Sequence, residues 1–312
     1  MKIGLDIMGG DYAPQATVLG AIAAHKMLKP DQKLVLIGDQ QVAEKILHEQ
    51  NYDPGNFEFV HTTEMIEMGE HPAKAVMQKP NSSISLGFRL LKEGAISAFS
   101  SAGNSGAMLV GAMFSVKTIP GVIRPAITSV IPQLSGKLGV LVDVGANADC
   151  KPEYLEQFGL LGSLFSQCVY RVDNPRVALM NIGEEEEKGN VLCQAAYPLL
   201  KANTKINFVG NIEGREAFKD HADVVVTDGF TGNVILKLAE SFYEITVNKG
   251  IKDDFFALFN YEQYGGSPIL GVNAPVLVGH GISNPEAIKN MVILSKDMVE
   301  SGLVDKIRQA FQ

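Results

Sequence analysis

Six short segments of this 312-residue chain combine glycine with polar side chains in a pattern suited to chemistry. They are Met8-Gly9-Gly10-Asp11, Ser101-Ala102-Gly103-Asn104-Ser105-Gly106, Asp143-Val144-Gly145-Ala146-Asn147-Ala148-Asp149, Asn181-Ile182-Gly183, Lys188-Gly189-Asn190 and Thr227-Asp228-Gly229-Phe230-Thr231-Gly232-Asn233. Glycine lets a backbone approach a ligand closely, and free N–H groups at a helix start favour an anion, helped by the helix dipole. One Gly-Asn loop is ordinary turn chemistry. Several on one edge point jointly to an anion-binding site.

Lys188 is the candidate cation, since it stands at a helix start beside Gly189-Asn190, and the four residues before it, Glu184–Glu187, cannot neutralise an anion. Asn104 and Asn147 are suited to hold an oxygen without adding charge, and Ser101, Ser105 and Thr231 carry hydroxyls. Asp6, Asp11, Asp143 and Asp228 repel an anion. Asp143 is therefore read as structural, while Asp6 and Asp228 can accept loop N–H groups, orient Lys188 or move a proton. His280, between Gly279 and Gly281, can line the same edge.

The elements that must position these residues follow from hydrophobic period. Short β-branched runs at 2–7, 33–37, 56–60, 95–100, 126–131, 137–142, 176–181, 205–209, 222–227 and 275–278 read as strands. Several are almost continuously apolar, as strands buried on both faces of a parallel sheet are. Helical patterns lie between them at 14–28, 40–50, 81–93, 105–116, 152–170, 190–201, 233–249 and 285–311. Pro14, Pro152 and Pro285 suit first-turn positions, and Asp39 and Asn284 suit caps. This alternation predicts an α/β fold with helices on both sheet faces and a mostly parallel sheet, whose carboxyl edge is where ligands bind. The chain is either one large domain or two lobes around a cleft, with a crossover near 118–125.

Composition narrows the function. The formal charge of −8 leaves no general positive field for nucleic acid, and 46% hydrophobic residues exclude disorder as the main state. Glycine, at 31 residues, exceeds the usual ~7%. Cys150, Cys168 and Cys193 form no C-x-x-C pair, which speaks against a disulfide framework or a zinc set and for a reducing cytoplasm. Neither metal nor cofactor is expected. No apolar run approaches the ~20 residues of a membrane span, and the start lacks a signal-peptide pattern. The P-loop, G-x-G-x-x-G, H-E-x-x-H and G-x-S-x-G patterns are all missing.

The opening Asp6-Ile7-Met8-Gly9-Gly10-Asp11, the segments at Ser101, Asp143 and Lys188, then Val226–Asn233 and Tyr264-Gly265-Gly266 together resemble the bacterial phosphate acyltransferases of the PlsX family, in the family's order and over nearly the whole chain. The resemblance implies an enzyme that makes acyl phosphate from long-chain acyl carrier protein and inorganic phosphate. The product would feed a downstream glycerol-3-phosphate acyltransferase of phospholipid synthesis. It also implies a cytoplasmic homodimer, free or peripherally attached to the membrane's inner face. The implied fold is the three-layer α/β/α arrangement of phosphotransacetylases and isocitrate and isopropylmalate dehydrogenases. Rival readings on that fold are a CoA-thioester phosphotransacylase and an NAD-dependent dehydrogenase, and a third is a non-catalytic scaffold for lipid synthesis.

Two further expectations attach to substrate and surface. Lys74, Lys79, Arg89 and Lys92 form the candidate dock for an acidic carrier, and Met108, Leu109 and Met113 a candidate wall for the acyl chain. Relatives carry a longer basic hairpin before Tyr264. Here residues 250–263 are short and acidic, so Phe255, Phe256, Leu258 and Phe259 are read as core or interface rather than membrane-inserting.

Overall fold

The computed structural model describes residues 1–312, and the chain divides into two compact units. The first comprises Met1–Thr118 and Tyr261–Glu300, the second Ile119–Asn260 and Ser301–Gln312. The chain first passes between them at Thr118/Ile119.

In the first unit the order is β1 (Lys2–Asp6), α1 (Gln15–His25), β2 (Lys33–Gly38), α2 (Gln40–Glu49), β3 (Glu58–His61), α3 (Pro72–Gln78), α4 (Ser83–Lys92), β4 (Ala98–Ser101) and α5 (Ser105–Gly111). In the second it is β5 (Ala126–Pro132), β6 (Leu138–Val142), α6 (Pro152–Val169), β7 (Arg176–Asn181), α7 (Val191–Ala202), β8 (Asn207–Glu213), β9 (Val224–Val226), α8 (Gly229–Asn248) and α9 (Asp254–Ala257). The chain then returns to the first unit for β10 (Ser267–Leu270), β11 (Val276–Val278) and α10 (Pro285–Glu300), and ends in the second with α11 (Leu303–Ala310).

The first unit's strands run β3-β2-β1-β4-β11-β10, all parallel except β10, which pairs antiparallel with β11. Helices α1 and α10 pack together, as do α3, α4 and α5, and both groups meet β1 and β4, so the sheet is covered on two faces. The second unit's strands run β5-β6-β9-β7-β8, parallel except for the β5–β6 hairpin. Here α6 packs with α7 and α11, while α8 meets β5 and β6. Burial explains the apolar runs: β2 and β7 are buried at all but their first residues, whereas the edge strand β3 has no buried residue.

Three expectations from periodicity are corrected. The pattern at 285–311 is two helices, because Gly302 adopts a left-handed φ of +66° and ends the first. The helix expected from residue 233 begins at Gly229, since Asp228 caps it. The single helix over 105–116 is α5 followed by a π-helical turn at Ala112–Val116. Strand β10 and helices α3 and α9 were not read from the sequence; all are seven residues or fewer, too short for a period to register.

In the segment 250–263, Phe255, Phe256 and Leu258 are half-buried and residues 251–254 are exposed. Phe259 is buried and meets Phe218, Phe242 and Phe255 at ring-centroid distances of 5.2, 5.9 and 5.2 Å. No helix is long and apolar enough to cross a membrane.

Candidate active site

Parallel pairing sets the glycine segments side by side within each unit. Strands β1, β4 and β11 are neighbours, so Met8–Asp11, Ser101–Gly106 and Gly279–Gly281 leave the same sheet edge. Strands β6, β9 and β7 are likewise neighbours, which gathers Asp143–Asn147, Thr227–Asp228 and Asn181–Gly183.

In the first unit Asp6 is fully buried and fastens adjacent strands. The Ser101 hydroxyl donates to its Oδ2 at 2.6 Å, the Met8 amide donates to its Oδ1 at 2.9 Å, and the Gly103 amide donates to the Ser101 hydroxyl at 2.9 Å. Burial pushes the Asp6 carboxyl above its ordinary value, against the pull of Ser101, Met8 and Ser83. Asn104 is also buried: its Oδ1 accepts from Ala107 N at 2.9 Å, and its Nδ2 donates to the carbonyls of Glu67, Met68 and Glu70 at 3.0–3.2 Å. It caps α5 and anchors the loop before α3. Both ends of the amide are thereby committed. Gly9 packs against Gly103, and Gly10 against Gly281, while Asp11 is exposed and its amide donates to the Gly281 carbonyl. Ser105 is exposed on the first turn of α5, and Gly106 gives room to Pro72. His280 stacks on Tyr261 at 4.4 Å between ring centroids.

In the second unit Asp143 is fully buried and winds its own loop. Its carboxylate accepts from the amides of Ile127, Gly145, Ala146 and Asn147 at 2.8–3.3 Å and from Asn147 Nδ2 at 2.9 Å. Burial still raises its pKa, with those donors pulling the other way. Asn147 Nδ2 also donates to the Pro125 carbonyl, and Asn233 Nδ2 donates to the Val144 carbonyl at 3.1 Å. The Gly229 amide donates to the Asn147 carbonyl at 2.8 Å. Gly232 then lies so close to the Asp143 carbonyl oxygen that any Cβ would overlap it. These glycines of the Thr227–Asn233 segment, read as part of an anion-cradling loop, therefore serve helix-to-loop packing, with both residues inside the first turns of α8.

Between the starts of α7 and α8 lies a cavity of about 540 Å³. Asn181, Gly189, Asn190, Cys193, Asp228 and Thr231 line its polar side, and Leu155, Leu179, Met180, Ile182 and Ile235 its apolar side. An open depression next to it shares Asn190, Asp228 and Thr231 and adds Asp149, Cys150 and Phe230. Asp228 caps α8, accepting from Thr231 N and Oγ1, both at 2.8 Å. Asn190 caps α7, accepting from Cys193 N at 2.9 Å. Lys188 is exposed and makes no ion pair, and Gly183 packs on its aliphatic stem. Burial, with Asp143, Asp228 and Asp149 nearby, pushes the Cys150 thiol up to about 12, and burial raises that of Cys193. Neither is a thiolate nucleophile at neutral pH.

Asn181 opens one of the glycine segments but was given no role of its own in the sequence. Buried at the end of β7, it donates from Nδ2 to the Lys188 carbonyl at 3.1 Å and so pins the returning loop. The sole sequence signal was its position between a strand and a glycine. Of the residues expected to wall the acyl chain, Met108 is corrected to a fully buried core residue of the first unit, while Leu109 and Met113 are half-buried. The basic group divides between α3 and α4; Lys79 is held by Glu70 at 2.6 Å, while Lys74, Arg89 and Lys92 remain exposed.

Residues 1–255 match the family model described as fatty acid synthesis protein. The phosphate acyltransferase of Dictyoglomus turgidum is 43% identical over 326 residues, covering 98% of this chain and 96% of that one. The chain belongs to the phosphate acyltransferase family. Membership makes it a transferase and places it in acyl transfer with phosphate in lipid synthesis. Among solved structures, a phosphotransacetylase from Streptococcus pyogenes superposes with a TM-score of 0.69 at 15% identity, covering 96% of this chain and 94% of that one. A putative 4-hydroxythreonine-4-phosphate dehydrogenase from Salmonella typhimurium gives 0.56 at 12% identity, covering 95% and 99%. These show that this chain has an α/β fold like that of a phosphotransacetylase and a dehydrogenase-like protein, as expected.

Proposed function

We propose that this phosphate acyltransferase takes its acyl group from a long-chain acyl carrier protein thioester and releases the free carrier. The observation that carries this reading is the meeting in the second unit of two helix starts at a partly apolar cavity, with the exposed Lys188 two residues before the α7 cap Asn190, in a chain of this family. The chemistry asks little of side chains. A hydrogenphosphate dianion attacks the thioester carbonyl, the C–S bond breaks, and the dianion's own proton ends on the departing sulfur. With a thiol pKa of ~8.5, that sulfur leaves readily, so no strong base is needed.

What the protein must supply is charge neutralisation and exclusion of water. In this reading Lys188 neutralises the phosphate or the developing oxyanion, and oxygens are held by those first-turn N–H groups of α7 and α8 that the caps Asn190 and Asp228 and the Asn147 carbonyl do not take. Asp228, Asn104 and Asn147 act by shaping loops and helix starts, since the hydrogen bonds above occupy them. A homodimer belongs to the same proposal: α8 leaves Phe230, Val234, Leu238 and Ile245 exposed, a surface suited to a second copy. Incubating the protein with hexadecanoyl carrier protein or hexadecanoyl-CoA and phosphate, then trapping with hydroxylamine, tests the reading. Hydroxamate should form only with phosphate and chiefly from the carrier substrate. A preference for CoA overturns the carrier assignment, and no phosphate-dependent product from either overturns the reaction.

A further inference from the structure

The geometry points to the second unit's cavity as the binding site of the substrate's hydrocarbon chain, with Met180 and Ile235 setting the length it accepts. This rests on the acyl-transfer reading above and gives it a location other than the Met108, Leu109 and Met113 expected from the sequence, of which Met108 is fully buried.

The lining argues for an uncharged, apolar occupant. Its volume of about 540 Å³ falls in the ~300–1,000 Å³ range of sites that enclose a small ligand. Leu155 and Leu179, otherwise fully buried, line it together with Met180, Ile182 and Ile235. No Lys, Arg or His contributes to the wall. The one carboxylate, Asp228, would repel a phosphate or a nucleotide lodged inside, and its two oxygens are already occupied by Thr231. The Cys193 Sγ faces the Met180 carbonyl at 3.8 Å and adds no charge. A saturated chain satisfies such a wall, while a polyanion does not.

Two features connect this space to the reacting end. Asn190 and Asp228, the caps of α7 and α8, line both the cavity and the open depression beside it, so a thioester held at the helix starts can send its chain inward. Ile182 lines the cavity yet is 78% exposed, an apolar side chain without a protein partner at the rim. Met180 sits on β7 and Ile235 on α8. Enlarging both shortens the space without touching Lys188 or the caps.

Chain-length kinetics with octanoyl, dodecanoyl and hexadecanoyl carrier protein test the proposal in wild type and in the Met180→Phe/Ile235→Phe variant. The ratio of kcat/KM for hexadecanoyl over octanoyl substrate should fall at least about tenfold, with the KM for phosphate unchanged, since each methylene turned away from a pocket is worth a substantial factor. An unchanged ratio, or an equal loss at every length in a variant that melts cooperatively, overturns it. A second measurement needs no turnover. The chain has no tryptophan, so Ile182→Trp installs a sole indole at the rim. Saturable blue-shift of its emission by hexadecanoic acid, abolished when Met180→Phe and Ile235→Phe are added, supports the site. No shift up to the fatty acid's solubility overturns it, even if the hydroxylamine assay has shown acyl transfer. A shift without acyl transfer leaves the site standing and rejects the reaction.

Discussion

Asp6 and Asp143 each end a buried parallel strand and precede a glycine loop, yet they do different work. Asp6 reaches 95 residues along the chain to the Ser101 hydroxyl and locks β1 to β4. Asp143 takes three amides and one side chain from its own next four residues, plus the amide of Ile127 on β5. The asparagines differ in the same sense. Asn104 reaches out to the loop at Glu67–Glu70, whereas Asn147 turns inward to Asp143 and Pro125. The difference teaches that one sequence signature can serve either as a cross-strand bolt or as the former of a loop, and that the loop-former fixes the seat of the α8 start.

The largest expected effect separates the two carboxylates by stability. Asp143→Ala strands several buried amides and should cost about 3–4 kcal/mol in urea unfolding, while Ser101→Ala, which removes one link of the Asp6 chain, should cost about 1–2 kcal/mol. Equal losses would break the distinction between loop-former and bolt.

Activity should separate the units next. Lys188→Ala removes an exposed side chain with no ion pair, so its unfolding midpoint should match wild type while turnover falls about a hundredfold, the usual loss for a group that stabilises developing charge. Near wild-type hydroxamate production would remove Lys188 from the mechanism.

A smaller effect sharpens the reading of Asp6 as a bolt. Its folded pKa is raised by burial above 3.8, so the native state holds a proton that the unfolded chain has lost. Stability should therefore decline as pH rises from about 4 toward the folded pKa, and be free of this penalty below the unfolded value. Asp6→Asn should flatten that acid-side slope in unfolding curves at successive pH values. A slope identical to wild type would mean the carboxyl carries no such linkage.

The smallest effect concerns the surface of the first unit. Reversing Arg89 and Lys92 to Glu should weaken binding of the acidic carrier several-fold and reduce its salt dependence, because both residues are exposed while Lys79 is engaged by Glu70. Unchanged affinity in a titration would move the dock off α4.

Much of this was legible in one dimension. Strand β7 spans the 176–181 expected for it, and Asp39 caps α2 as its position suggested. The gathering of glycine segments along a strand edge also follows from the alternation of strands and helices. The Thr227–Asn233 segment was misread because two glycines look like a loop, while Asp228 and the neighbouring Asp143 loop make them the first turns of a helix. Met108 was misread because an apolar residue near a polar loop has the same pattern whether it lines a groove or fills a core.

Capping and hydrophobic period act over a few residues, so the alternation of the longer strands and helices, the cap at Asp39 and the supply of amides, hydroxyls and a lysine near the α7 start are properties of the sequence alone. Which of those groups are spent on the protein itself depends on contacts made in the folded state. Asp6, Asn104 and Asp143 all accept or donate across folded contacts, and the wall of the cavity joins α6, β7 and α8. Ser101 lies 95 residues from Asp6 and Glu67 lies 37 from Asn104, and no local pattern encodes which of them will meet.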